Sequence, residues 1–195
     1  MATTNLFVEL IVIGVGAACW VTLFMLGLIG VESFPLQAAP GYPILVFLLP
    51  LVYLLGIISD RMADMLFDKL FSGPLRARYF PDRREYQDAR RLVISSSSRL
   101  ANMHDYGRTR IRICRGWALN ALLIAVALQF VLRAQVFTTP GHEAAVTWGA
   151  AACVLLSMAS WWSWYTLCSW EYVKIYEHAE FLRQTSYQEP LKIAA

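Results

Sequence analysis

The sequence predicts an all-α integral membrane protein: four transmembrane helices, with a basic helical insert on the cytoplasmic side between the second and third. Three observations predict it. Of 195 residues, 57% are hydrophobic and only 16% charged, where soluble domains carry about 25% charged residues, and the mean hydropathy is +0.46. Residues 10–31, 33–59, 116–132 and 144–170 contain no Asp, Glu, Lys or Arg, and each supplies most of the ~20 residues that a helix needs to cross about 30 Å of hydrocarbon. Finally, residues 60–116 hold thirteen basic and seven acidic side chains. The loop at 32–42 has no basic residue, and the loop after the third span offers only Arg133. The positive-inside rule then puts the insert and both termini in the cytoplasm. What the spans leave over is too short for a second soluble domain with a sizeable core.

The first span is expected over residues 6–31. Residues 1–5 lack Lys and Arg and the apolar run exceeds a signal-peptide core, so it reads as a retained helix. Glu9 falls in its first turn, near enough to the interface to stay solvated. The second helix, 42–72, follows a turn-rich stretch with Pro35, Pro40 and Pro43 and contains Pro50, which should kink it. Its 3.6-residue rhythm through Leu54, Ile58, Met62, Met65 and Lys69 carries it into the cytoplasm until Ser72-Gly73-Pro74 stops it.

The insert, 73–107, should hold a helix that starts after Pro81, with Asp82 as N-cap and Glu85 three residues on. It would run through Ile94 toward Met103, but the serine run at 95–98 weakens it and offers a break, because serine hydroxyls compete for backbone hydrogen bonds. Tyr106-Gly107 reads as a turn. Arg108 to Ile113 alternates with period two, but a lone strand has no partner edge, so a helix entering the third span, 108–135, is preferred. The fourth, 144–184, continues past Trp170 into the cytoplasm, leaving a tail at 185–195. Its Trp148, Trp161, Trp162, Trp164 and Trp170 read as an interfacial belt.

Candidate functional residues fall into three groups. Asp60, Asp64 and Asp68 recur at i, i+4, i+8, an acidic stripe that could ring a pore mouth in an oligomer or form salt bridges with neighbouring basic residues. Arg83, Arg84, Arg90, Arg91, Arg108, Arg110, Arg112 and Arg115 could bind an acidic protein partner, a nucleotide or nucleic-acid signal, or anionic lipid. Asn120 and Gln129 are uncharged polar residues inside the third span, suited to hydrogen bonds between helices. Small residues at Gly14, Gly16, Ala17 and Ala18, and at 149–152, suit close helix packing. No span carries a central charge, which speaks against a proton-coupled pump. Cys19, Cys114, Cys153 and Cys168 form no CxxC or Cys/His cluster, so no metal site or disulfide framework is indicated, and no cofactor is expected. No HExxH, GxSxG, P-loop or dinucleotide motif occurs, so an enzyme is not expected.

The four-span layout resembles the small multi-pass membrane components of bacterial anti-phage defence systems, in particular the Kiwa membrane subunit and the SLATT-type membrane effectors. The likeness lies in the basic insert, in Tyr106-Gly107-Arg108-Thr109-Arg110-Ile111-Arg112-Ile113-Cys114-Arg115-Gly116 followed by Asn120, and in Tyr53-Leu54-Leu55-Gly56-Ile57-Ile58-Ser59-Asp60-Arg61. It implies a homo-oligomeric sensor or pore of the bacterial inner membrane, coupled to a cytoplasmic partner; no catalytic or binding residue carries over. Three function classes follow: a membrane sensor or scaffold that docks a cytoplasmic partner through the insert, a ligand- or partner-gated ion channel, and an accessory subunit of another membrane complex.

Overall fold

The structure, a computed structural model, describes residues 2–30, 42–134 and 141–193, with side-chain surroundings for 6–30, 48–134 and 141–184. Residues 31–41 and 135–140, with Pro35 and Pro40 of the expected turn-rich stretch, and the side chains of the tail lie outside these. Every described element is a helix: α1 Ala2–Ile29, α2 Tyr42–Phe67, a π-helical turn Asp68–Ser72, α3 Gly73–Arg76, α4 Arg83–Ser96, α5 Ser98–Arg133 and α6 His142–Ile193. Among the described residues, three segments are long and apolar enough to cross a membrane: Leu6–Ile29, Ser98–Arg133 and His142–Gln184. The expected second span coincides with α2, whose described apolar stretch is cut short by Asp60, Arg61 and Asp64.

Several boundaries differ from expectation. The helix that Gly73-Pro74 should stop continues to Arg76, because Pro74 sits in the first turn of α3, where a proline lacks no hydrogen bond that the helix needs. Asp82 precedes α4 as expected, with an extended backbone, but its carboxylate makes no capping bond. The serine run does break the chain: Ser97 is extended (φ −158°, ψ 133°) between α4 and α5. Tyr106-Gly107 is no turn, since α5 runs through it for 36 residues. Helical backbone tolerates glycine at about 1 kcal/mol, and here the missing side chain makes room: a Cβ on Gly107 would lie 3.0 Å from a Glu171 carboxylate oxygen.

The chain forms two compact units. The first comprises Met1–Met65 and Arg112–Ser163. Its core is built largely from small residues, with Ile13, Ala17, Ala63, Ala121 and Ala127 buried. Glycines bring α1 and α2 into backbone contact: a methyl at Gly14 would overlap the Val52 carbonyl, and one at Gly56 the Leu10 carbonyl. Ser157 on α6 donates a 2.7 Å hydrogen bond to the Ala118 carbonyl of α5.

The second unit comprises Leu66–Ile111 and Trp164–Ala195. Phe80, Ala89, Val93, Ile175 and Ala179 form its centre, with Tyr79, Tyr86, Leu92, Leu100, Tyr172 and Leu182 packed around them. Amphipathic α4 supplies Ala89 and Val93 one turn apart to that centre, which leaves Arg84 and Arg91 exposed. Trp164 departs from the interfacial-belt reading: it is 2% exposed and packs edge-on against Phe67 at 4.8 Å. Trp148, Trp162 and Trp170 are exposed.

Candidate functional site

In the first unit, polar residues converge from three helices. Asn120 on α5 is fully buried and uses both ends of its amide. Its oxygen accepts from the Ser59 hydroxyl of α2 at 2.7 Å and from the Trp20 indole N–H of α1 at 3.2 Å. Its Nδ2 donates to the Ile13 carbonyl at 2.8 Å, an approach that glycine at position 16 permits, since a Cβ there would stand 2.9 Å from that nitrogen. A single amide thus ties α1, α2 and α5.

An ion-pair network completes this unit. Arg115 hydrogen-bonds Asp64 through Nη1 and Asp60 through Nη2, the latter at 2.9 Å. Arg112 lies 3.5 Å from Glu9 and 4.0 Å from Asp60. Glu9 and Asp60 are each 4% exposed, so Glu9 is not solvated as its place in the sequence suggests; Arg112 makes its burial tolerable. Three carboxylates face two guanidiniums, and the Glu9 Oε2 and Arg115 Nε atoms make no hydrogen bond to a described residue. The arginines are therefore clamps between helices. Asp68 is not part of this network: it opens the π-helical turn in the other unit and is exposed. Gln129, also in α5, is exposed and lines an apolar cleft.

The second unit carries the other candidate arginines. Arg83, Arg84, Arg91, Arg99 and Arg110 are exposed, and none makes an ion pair with a described residue. Arg108 has only a loose 3.9 Å pairing with Asp105 one turn away, worth little on an exposed surface. Arg90 is half-buried beside Tyr86, whose phenol burial pushes above its ordinary pKa while the Arg90 charge opposes the rise. On α5, Arg99, Met103, Tyr106 and Arg110 recur at spacings of 4, 3 and 4 and form one exposed stripe. The Arg110 guanidinium lies 5.9 Å from the centre of the Tyr106 ring. Arg99 and Met103 do not stand out in the sequence because the stripe exists only if the helix continues through Gly107.

A further group was not legible from sequence. The buried His104 Nδ1 meets Glu171 Oε1. The His104 and His178 rings stand edge to face at 6.1 Å; His104 Nε2 and His178 Nδ1 make no hydrogen bond to a described residue. No cluster of three or more His, Cys, Asp or Glu residues able to hold a metal occurs among the described residues.

No family model, characterised protein or solved structure matches the chain.

Proposed function

We propose that the chain is a four-span membrane sensor or scaffold that docks an acidic cytoplasmic protein on the exposed arginine face of its second unit. α2 is the second of the four spans, both termini are cytoplasmic, and the assembly is a homo-oligomer, with a tetramer as the working number, in a bacterial inner membrane. The setting suggested by the resemblance is anti-phage defence. The observation that carries the reading is the division of labour among the arginines. Arg112 and Arg115 are engaged by Glu9, Asp60 and Asp64, whereas Arg83, Arg84, Arg91, Arg99 and Arg110 face outward. Unpaired exposed cations steer an acidic partner and add specificity. Met103 and Tyr106, 43% and 65% exposed within the same stripe, supply the apolar and aromatic contacts that protein interfaces favour. They favour a protein over a free nucleotide as the occupant. Asp60 and Asp64 are already engaged by Arg115, and Asp60 also by Arg112, which supports docking over cation conduction.

The test is co-purification in mild detergent from the native membrane. Reversing Arg83, Arg84, Arg91 and Arg99 to Glu is expected to remove the bound partner while leaving insertion and oligomer mass unchanged. Retention of the partner by that variant, or cation currents from the purified protein that disappear when Asp60 and Asp64 become Asn, would favour the channel reading instead.

A further inference from the structure

We propose that a cleft in the first unit holds one acyl chain of an anionic phospholipid, with the headgroup phosphate met by Arg133. The inference rests on the membrane reading and adds to it a specific ligand. The cleft has a volume of about 580 Å³ and lies where α1, α5 and α6 meet. Leu122, Val126, Gln129 and Arg133 recur at spacings of 4, 3 and 4 along α5 and are all exposed, so one helical stripe forms a wall. Ala150 and Ala151 on α6 keep the opposite wall low, and Phe130, tilted against Phe24 at 5.8 Å, closes the side toward α1.

Length and polarity choose the occupant. From Leu122 to Arg133 the α5 stripe rises about 16 Å, close to the ~15 Å of one hydrocarbon leaflet. A second transmembrane helix would need a groove twice as deep. The polar residues gather at one end: Arg133 is the last residue of α5, Gln129 lies one turn below it, and Thr147 is near the start of α6. Arg133 is exposed and makes no ion pair with a described residue. A guanidinium at the mouth of an apolar slot one leaflet deep matches a phosphate above a single hydrocarbon tail. By the charge asymmetry this mouth opens on the leaflet opposite the arginine-rich insert.

Native mass spectrometry of the full chain, released from nanodiscs of mixed phosphatidylglycerol and phosphatidylcholine, reads the site directly. Wild-type protein is expected to retain phosphatidylglycerol in preference to phosphatidylcholine by about five-fold, the size of one arginine contact with anionic lipid. R133Q should abolish the preference and R133K restore most of it. A151F, which fills the exposed wall without touching the buried core, should reduce retention of both lipids. An unchanged preference in R133Q, unchanged lipid retention in A151F, or loss of oligomer mass in A151F with lipid binding intact would overturn the proposal, the last by showing that a second copy fills the cleft. Flotation with liposomes separates the failures. Protein that floats but shows no preference overturns only the lipid site; protein that fails to float overturns the membrane reading as well.

Discussion

Replacing Asn120 with Ala would leave the Ser59 hydroxyl, the Trp20 indole N–H and the Ile13 carbonyl each without its partner. Hydrogen bonds between membrane helices average about 0.6 kcal/mol, so Asn120→Ala is expected to cost about 2 kcal/mol, read by reversible unfolding in mixed micelles. Loss of Arg115 should cost more. Its side chain is 11% exposed and its partner Asp60 5%, and breaking a buried pair by removing one member costs about 3–5 kcal/mol. Arg115→Ala should therefore lower the melting temperature further than Asn120→Ala, whereas Arg84→Ala should leave it within about 1 kcal/mol of wild type. Equal effects at 84 and 115 would refute the division into clamping and exposed arginines. Asn120 announced itself in the sequence, because an amide in an uncharged apolar run needs partners. The roles of Arg112 and Arg115 did not, since their partner carboxylates lie at least 51 residues away in sequence and only the packing of α1 and α2 against α5 brings them together.

Among the elements, α4 shows which features sequence can specify. Its start after Pro81 occurs where expected, whereas the helix expected to run toward Met103 stops at Ser96, within the serine run that weakens it. The turn at Tyr106-Gly107 depends instead on whether a glycine is needed for a bend or for room, and the room required by Glu171 decided for the helix. In the same way Trp164 follows the apolar pattern of a membrane belt, and only contact with Phe67 identifies it as a core residue. Packing in the second unit also has a pH signature. Burial raises the Tyr86 pKa, followed in size by the opposing charge of Arg90. A phenol with a raised folded-state pKa contributes stability that is complete below its ordinary value of about 10 and is lost as pH climbs through the folded-state value. Limited proteolysis of α4 should accelerate above about pH 10 in wild type. Tyr86→Phe should blunt that acceleration, and an identical alkaline profile in the variant would assign it to other groups.

For the molecule as a whole, charge and hydropathy made the all-helical class and the apolar helices legible, while topology and assembly state stand as proposals that experiment can decide. Native mass measurements in nanodiscs are expected to show a closed oligomer, since Asn120 and the glycine faces already stabilise each bundle from within and leave the exposed apolar surfaces of α1 and α6 for contacts between copies. A monomer across several lipid compositions would count against this. The docking face is tested most directly by photo-crosslinking in intact cells, with the reactive side chain placed at 91, at 99 or at 112. An adduct to one cytoplasmic protein from positions 91 and 99, weakened by high salt as an electrostatic contact must be, and absent from position 112, is the expected result. Adducts of equal strength from 112, or adducts at 91 and 99 to lipid alone, would contradict the claim that the exposed arginines form the partner-binding surface.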